Sequence, residues 1–413
     1  MFRKYFQFGA LFLLFVCTSL AQVRFKPPPP VLISSYQFPV DSIYSDLFVA
    51  FRIPYGKLVF VKENKNYSAS FEFGIDVKRN DTLVERTSVS ENVVLQNYDL
   101  TKSKDDYVQG LVKFKLKSGK YNLIPEIRLK NTNIDVRLKP IAENIVPDTV
   151  IIFEPLVVNK HDNEFVLTNY ENNFPFSAAD YGILIPVKNS VDTVSVKIQQ
   201  GDYVICDTTL TDKIKHRLFP DARQNEIMLK TDTANTKLNY FYLNDFSHLL
   251  NEGMVEIKIK AGKMKKVMFK KQVVWYSKPI ILYNPEKAVS LLRIIGEEKE
   301  AKAIFKHPSK LYYKKLIEYW NRKFPQKSKF NEAMNEFYTR ADYALLNFRT
   351  LGKANGLRTD RAVVYIKYGK PSSIERKYSE QNEILEIWRY QHLNREFIFI
   401  DRTGSGNFKL LGK

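Results

Sequence analysis

Cysteine is almost missing from this chain: two residues in 413, Cys17 and Cys206. Cys17 lies in an N-terminal stretch read below as a leader, so the mature chain is expected to hold Cys206 alone. That excludes an intramolecular disulfide and a Cys-built zinc site. Histidine is also scarce. His161, His216, His248, His307 and His392 lie far apart, and no two stand at helical metal-ligand spacing. No G-x-S-x-G elbow, Walker loop or dinucleotide fingerprint occurs. No catalytic, cofactor-binding or metal-binding residue is therefore nominated, and no cofactor is expected. Long apolar runs are absent beyond the N-terminus, which predicts no transmembrane segment in the mature chain. Acidic residues are few, 45 against 64 Lys and Arg, for a net charge of +19.

What is there begins with a predicted secretory leader over residues 1–21. Arg3 and Lys4 give the charged start, Phe6–Val16 the apolar run and Ser19-Leu20-Ala21 a small-x-small cleavage site. Residues 22–35 contain Pro27–Pro30 and read as a proline-rich extended spacer. From 36 to 140 the pattern is strands: Leu47–Ile53, Leu58–Lys62, Tyr67–Lys78, Leu83–Val89, Tyr107–Lys117, Gly119–Leu129 and Asn133–Leu138, parted by Asn, Asp, Ser and Gly. Seven short strands at this spacing predict a β-sandwich of immunoglobulin-like general architecture. Pro140 and Pro147 lead to a second sandwich-like domain over 147–277, with a short helix expected at Asn244–Asn251.

The period changes in the C-terminal module, 283–413. Pro285 with Ala288, Leu291, Leu292 and Ile295 predicts a helix with proline in its first turn. Leu311, Tyr312, Leu316, Tyr319 and Trp320 mark another, and Met334, Phe337, Ala341, Ala344, Leu345 and Phe348 a third. The loop Gly356–Asp360 then leads into an expected strand, Ala362–Tyr368, ended by Gly369 and Pro371. Leu385–Gln391, Arg395–Asp401 and Phe408–Leu411 read as further strands. The fold class expected is mainly β with a C-terminal α+β module, two β-sandwich-like domains followed by helices packed on a small antiparallel sheet. Gly404-Ser405-Gly406, between two short strands, reads as a hairpin turn and not a phosphate cradle.

The signature Gly356-Leu357-Arg358-Thr359-Asp360, continuing through Arg361, Tyr365, Tyr368, Gly369 and Pro371, resembles that of the GWxTD-domain family of exported bacterial proteins. Trp320, the run from Phe337 through Arg340 to Phe348, Trp388 with Tyr390, and Phe397 to Asp401 extend the resemblance over roughly 283–411. Arg52-Ile53-Pro54-Tyr55 is similar to an N-terminal run of some members. Leu357 stands where the family has its name-giving Trp, and Ala362 where a Gly is usual. The resemblance implies an exported protein; the periplasm is the first expectation, with secretion or the cell surface as alternatives. It implies no particular activity.

Asp360 and Arg361 form an adjacent charged pair in the signature. A functional reading makes Asp360 a general base or cation ligand; the structural one has Thr359 and Asp360 cap the turn while Arg361 bridges to an acid. A lone carboxylate without a partner base, nucleophile or metal gives no reaction, which favours the second. Residues 302–329 hold nine Lys and Arg against one acid, Glu318. Lys310, Lys314, Lys315 and Lys323 are accordingly a candidate docking patch for an anionic glycan or membrane surface, or for a cell-envelope protein. No nucleic-acid-binding motif is present, so nucleic acid is not expected. Six Asp-(Ser/Thr)-x tripeptides nominate Ser42, Thr82, Thr149, Thr193, Thr208 and Thr233 for O-glycosylation, by likeness to an acceptor motif of exported Gram-negative proteins; the same pairs also start turns. Two functions remain open: a non-enzymatic envelope protein whose sandwiches space or dock a C-terminal binding module, and an envelope hydrolase or glycan-modifying enzyme with a dispersed site. The oligomeric state is not legible.

Overall fold

The structure, a computed structural model, describes residues 31–411 apart from 104, 131, 133, 147–148, 163, 233–236, 263, 265 and 351–354. The expected leader and Pro27–Pro30 lie outside the described residues. Strands hold 49% and helices 22%, and every described α-helix starts at or after Pro285, so the chain is mainly β with an α+β C-terminal unit.

The first unit opposes two sheets. One is three-stranded, in the order Leu32–Pro39, Tyr44–Pro54, Tyr107–Lys117; the other is six-stranded around Asn66–Arg79 and Gly119–Leu129. Asn66–Arg79 and Thr82–Leu95 form a long hairpin. Its two turn residues, Asn80 and Asp81, have φ of 48° and 63°, the positive values that a twist-matched two-residue turn demands. Two expectations fail here. The strand Leu32–Pro39 begins inside the stretch read as a spacer, because Leu32, Ser34, Tyr36 and Phe38 alternate inward directly after the prolines. The expected strand Leu58–Lys62 is displaced: a 3₁₀ turn, Tyr55–Lys57, takes up the chain and pairing starts only at Val61.

The second unit faces a seven-stranded sheet against a five-stranded one. Phe174, Ile185, Phe241, Ile257 and Val273 fill the space between them. The short helix expected at Asn244–Asn251 is a single 3₁₀ turn, Ser247–Leu249, preceded by Asp245 at φ 59° and carrying no side-chain cap.

Between the two sandwiches lies a third core. Strand Tyr44–Pro54 is buried on both faces. Leu47, Val49, Phe51 and Ile53 point into the first sandwich, while Phe48 and Ala50, with Tyr36 and Phe38, pack on Leu156, Val158, Leu184 and Tyr240 of the seven-stranded sheet. Four sheets are thus stacked: six-stranded, three-stranded, seven-stranded, five-stranded. Each large side chain buried in that middle layer contributes about 1.5–3 kcal/mol.

Polar ties fix the angle of the stack. The buried Asp46 carboxylate meets Arg217 at 3.1 Å and Lys113 at 2.9 Å. Asn169 Nδ2 donates to Phe51 O at 3.2 Å and to Gln109 Oε1 at 3.1 Å. Arg52 of the Arg52-Ile53-Pro54-Tyr55 run is clamped between the rings of Tyr107, at 3.5 Å, and Tyr170, at 4.1 Å. Tyr170 stacks in turn on Tyr276 at 4.7 Å. A desolvated guanidinium over an aromatic face contributes about 2 kcal/mol.

The C-terminal unit grows directly out of this column. Trp275, Phe176 and Phe330 pack edge to face and join its core to the second sandwich. Helices α1 (Pro285–Ser290), α2 (Glu298–Phe305), α3 (Tyr312–Lys323), α4 (Glu332–Asn347) and α5 (Asp360–Tyr368) surround one cluster containing Trp320, Tyr338, Leu357 and Trp388. Asn284 and Asn331 cap α1 and α4 by accepting from Lys287 N and Met334 N. A four-stranded antiparallel sheet follows, Ser373–Tyr378, Ile384–Tyr390, Arg395–Asp401 and Lys409–Leu411. The first of these was not expected: its charged, mostly exposed side chains hide the alternation.

Candidate functional site

The signature residues do not form the expected strand. Ala362–Tyr368 belongs to α5. Val363, Tyr365 and Lys367 alternate with Val364, Ile366 and Tyr368 in sequence, but the buried set is Arg361, Ala362, Val364, Tyr365 and Ile366, a helical stripe. What decides it is Thr359, whose extended backbone and Oγ1, accepting from Ala362 N at 3.2 Å, make it the N-cap. A cap of this kind outweighs the modest helix penalty of Val and Ile.

The polar signature groups are engaged in internal ties, two of them from helix to sheet. Thr359 Oγ1 also donates to Gly356 O at 2.8 Å. Asp360 does not cap the turn as expected; its Oδ2 accepts from Leu410 N at 3.0 Å, across to the edge strand. Arg361 is buried, with Nη1 3.3 Å from Glu386 Oε1, Nη2 3.3 Å from Gly406 O, and the guanidinium over Phe408 at 4.2 Å. Burial pulls its pKa down and the Glu386 charge opposes this. Glu386, itself buried, also accepts from Trp388 Nε1 at 2.8 Å and from Arg376 Nε at 2.9 Å. Leu357, at the family's Trp position, is buried in the main cluster and serves as packing. Pro371 is buried just beyond α5.

The remaining signature residues meet at a groove. Tyr365, Tyr368 and Gly369 at the end of α5, with Glu336, Thr339 and Arg340 of α4 and with Lys370 and His392, line an open cleft of about 460 Å³, within the size range of ligand sites. Gly369 has φ 81°, and a Cβ there would stand 3.1 Å from the Arg340 guanidinium. The missing side chain is what lets Arg340 lie flat on the floor, held by Glu336 Oε1 and Lys367 O. Tyr390 Oη donates to Gly369 O at 2.8 Å beneath it. Tyr365 stacks on Tyr343 at 4.5 Å, and burial pushes its phenol up to about 12. Arg395 Nη1 donates to Tyr368 Oη at 2.8 Å. From sequence, His392 is weighed only as a metal ligand, and Lys370, which stands between the Gly369 and Pro371 read as a strand end, is not nominated.

The lysine patch is split. Lys315 pairs with Glu318 at 2.7 Å and Lys323 with Glu297 at 2.8 Å, while Lys310 and Lys314 are exposed around the break between α2 and α3. Of the nominated acceptors, Ser42, Thr82, Thr149 and Thr193 are exposed. Asp41 Oδ1 accepts from Ile43 N and Tyr44 N, so the turn-starting role applies at the first. Thr208 is half-buried within strand Tyr203–Leu210, and Thr233 lies outside the described residues. Cys206, in that same strand, is only half-buried.

Stacked sandwiches that end in a helix-covered four-stranded sheet define a mainly β chain with a terminal α+β unit. Residues 260–409 match the GWxTD domain, so the chain carries a GWxTD domain there. The match starts at the end of strand Gly253–Ala261, so it takes in the last strand of the second sandwich and Trp275. No curated protein matches the chain.

Proposed function

We propose that this is an exported, non-enzymatic cell-envelope protein whose GWxTD domain docks a protein or glycan partner while the four stacked sheets hold it in place. The observation that carries the reading is the division of labour around α5. The polar signature groups, Thr359, Asp360 and Arg361, are consumed in internal ties, and the next turn of the same helix opens onto a cationic groove. A surface locked from beneath has the rigid support that a binding site needs. Export, with the periplasm first, rests on the leader pattern of residues 1–21, and O-glycosylation at exposed Ser42, Thr82, Thr149 and Thr193 fits the same address.

Cross-linking of the full-length protein in intact cells, followed by mapping, tests the docking role. Cross-links to one partner concentrated within 283–411 are expected. Cross-links confined to the sandwiches, or turnover of envelope glycan or peptide by the purified chain, would overturn it. A mature N-terminus at Gln22 supports export, and retention of residues 1–21 in a cytoplasmic fraction refutes it.

A further inference from the structure

The groove beside α5 carries more than an open shape. Its wall and rim bring together Arg340, Lys367, Lys370, Arg395 and His392, against one acid among the lining residues, Glu336. That acid is already engaged by Arg340. Lys370 and His392 are exposed and make no hydrogen bond or ion pair among the described residues. A concave surface of one sign focuses its field and selects ligands of the opposite sign.

The aromatic rings narrow the choice. Tyr365 has its face on Tyr343, at 4.5 Å and 15°. Tyr368 packs on Phe397 at 5.1 Å and is flanked by Lys367 and Arg395, at 5.4 Å each. Both groove tyrosines thus already have a ring packed against them, which leaves less aromatic surface for a sugar to stack on. What the groove offers is N–H and O–H donors: the Lys370 ammonium, the His392 ring, and the Tyr365 and Thr339 hydroxyls. Spaced donors in a shallow open cleft suit carboxylates carried on an extended chain.

We infer that this groove binds an extended acidic peptide segment of a partner protein, with Lys370 and His392 as its outer contacts and Arg340 as its floor. The inference rests on the docking reading above and names the chemistry of its partner.

Fluorescence anisotropy with a labelled oligo-aspartate peptide and the full-length protein tests it. Binding that weakens steeply with added salt is expected. Lys370→Glu should weaken it about tenfold or more, and His392→Glu likewise. Both positions are exposed, so thermal unfolding should be unchanged, which separates lost contact from lost fold. Lys310→Glu with Lys314→Glu, on the other basic surface, should leave binding as in the parent. Peptide binding insensitive to Lys370→Glu, or abolished by the Lys310 and Lys314 changes, overturns the assignment. So does tighter binding of an oligogalacturonate of equal charge, which would place an acidic glycan there instead. If cross-links still map to 283–411 while the peptide fails, only this inference falls; if both fail, the docking reading falls with it.

Discussion

At Gly356 a Cβ would sit 2.3 Å from Ala344 O and 2.9 Å from Leu345 O, both backbone atoms at the end of α4. The glycine of the signature is therefore a packing requirement: only a bare α-carbon lets the loop lie against that helix. Gly356→Ala should cost about 1–3 kcal/mol through forced backbone displacement, read from the urea midpoint. Glu143 shows the opposite kind of cost. It accepts from Ser35 Oγ, yet burial raises its carboxyl above the ordinary range, with the Glu154 charge adding to the rise. A raised folded-state pKa favours the protonated form, so this group's stability is fully present below the ordinary carboxylate pKa and lost as pH climbs through the raised one. Glu143→Gln should accordingly raise stability at neutral pH, and the gain should vanish in acid; denaturation midpoints across pH check it. Little of this was legible beforehand. The ion-pairing of Arg361 could be foreseen from its place in a signature loop, but its partner Glu386, 25 residues on, and the burial of Glu143 depend on sheet register.

Helix α5 teaches most among the elements. Its β-branched, alternating residues suggested a strand, and period two and period 3.6 are hard to separate over seven positions. The Thr359–Asp360 pair at its start was the decisive signal, since a Thr N-cap followed by an acid marks a helix start. The two residues do different jobs. Thr359→Ala should cost about 1 kcal/mol and speed amide exchange through the first turn of α5. Asp360→Ala removes the acceptor for Leu410 N, so exchange should rise at Leu410 and along the edge strand while α5 stays protected. Residue-resolved hydrogen exchange separates them, and equal loss in α5 from both would refute the division. Helices α1 and α4 were legible because their apolar stripes run with an Asn cap, and α3 from its stripe alone. Strand Ser373–Tyr378 was not, because an exposed edge shows no hydrophobic period.

For the whole molecule, alternation revealed two sandwiches but not that they share a core. Strand Tyr44–Pro54 carries a continuous apolar run, Leu47-Phe48-Val49-Ala50-Phe51, the mark of a strand covered on both faces. The reading assigned it to one sandwich because nothing in that run says what covers the second face. Phe48 sits in the shared layer, so Phe48→Ala should cost about 3–5 kcal/mol. Calorimetry should show one transition in the parent chain. In the variant, exchange protection should fall in both sandwiches together. Loss confined to residues 36–140 would mean that the layer does not couple them.

The same layer has a consequence for how the chain is made. Glu171 N donates to Ser34 Oγ at 2.8 Å, and Asn172 Nδ2 to Ser35 O at 2.9 Å, each across 137 residues. At a synthesis rate of about 5–20 residues per second, those partners emerge on the order of ten seconds after the strand they fasten. During that interval the first sandwich can close on itself, but Tyr36, Phe38 and Phe48 remain bare on its outer face. Their cover is complete only once Leu184 and Tyr240 have followed, so a chain shortened to residue 146 should keep that face bare and bind a hydrophobic dye that the full-length chain does not.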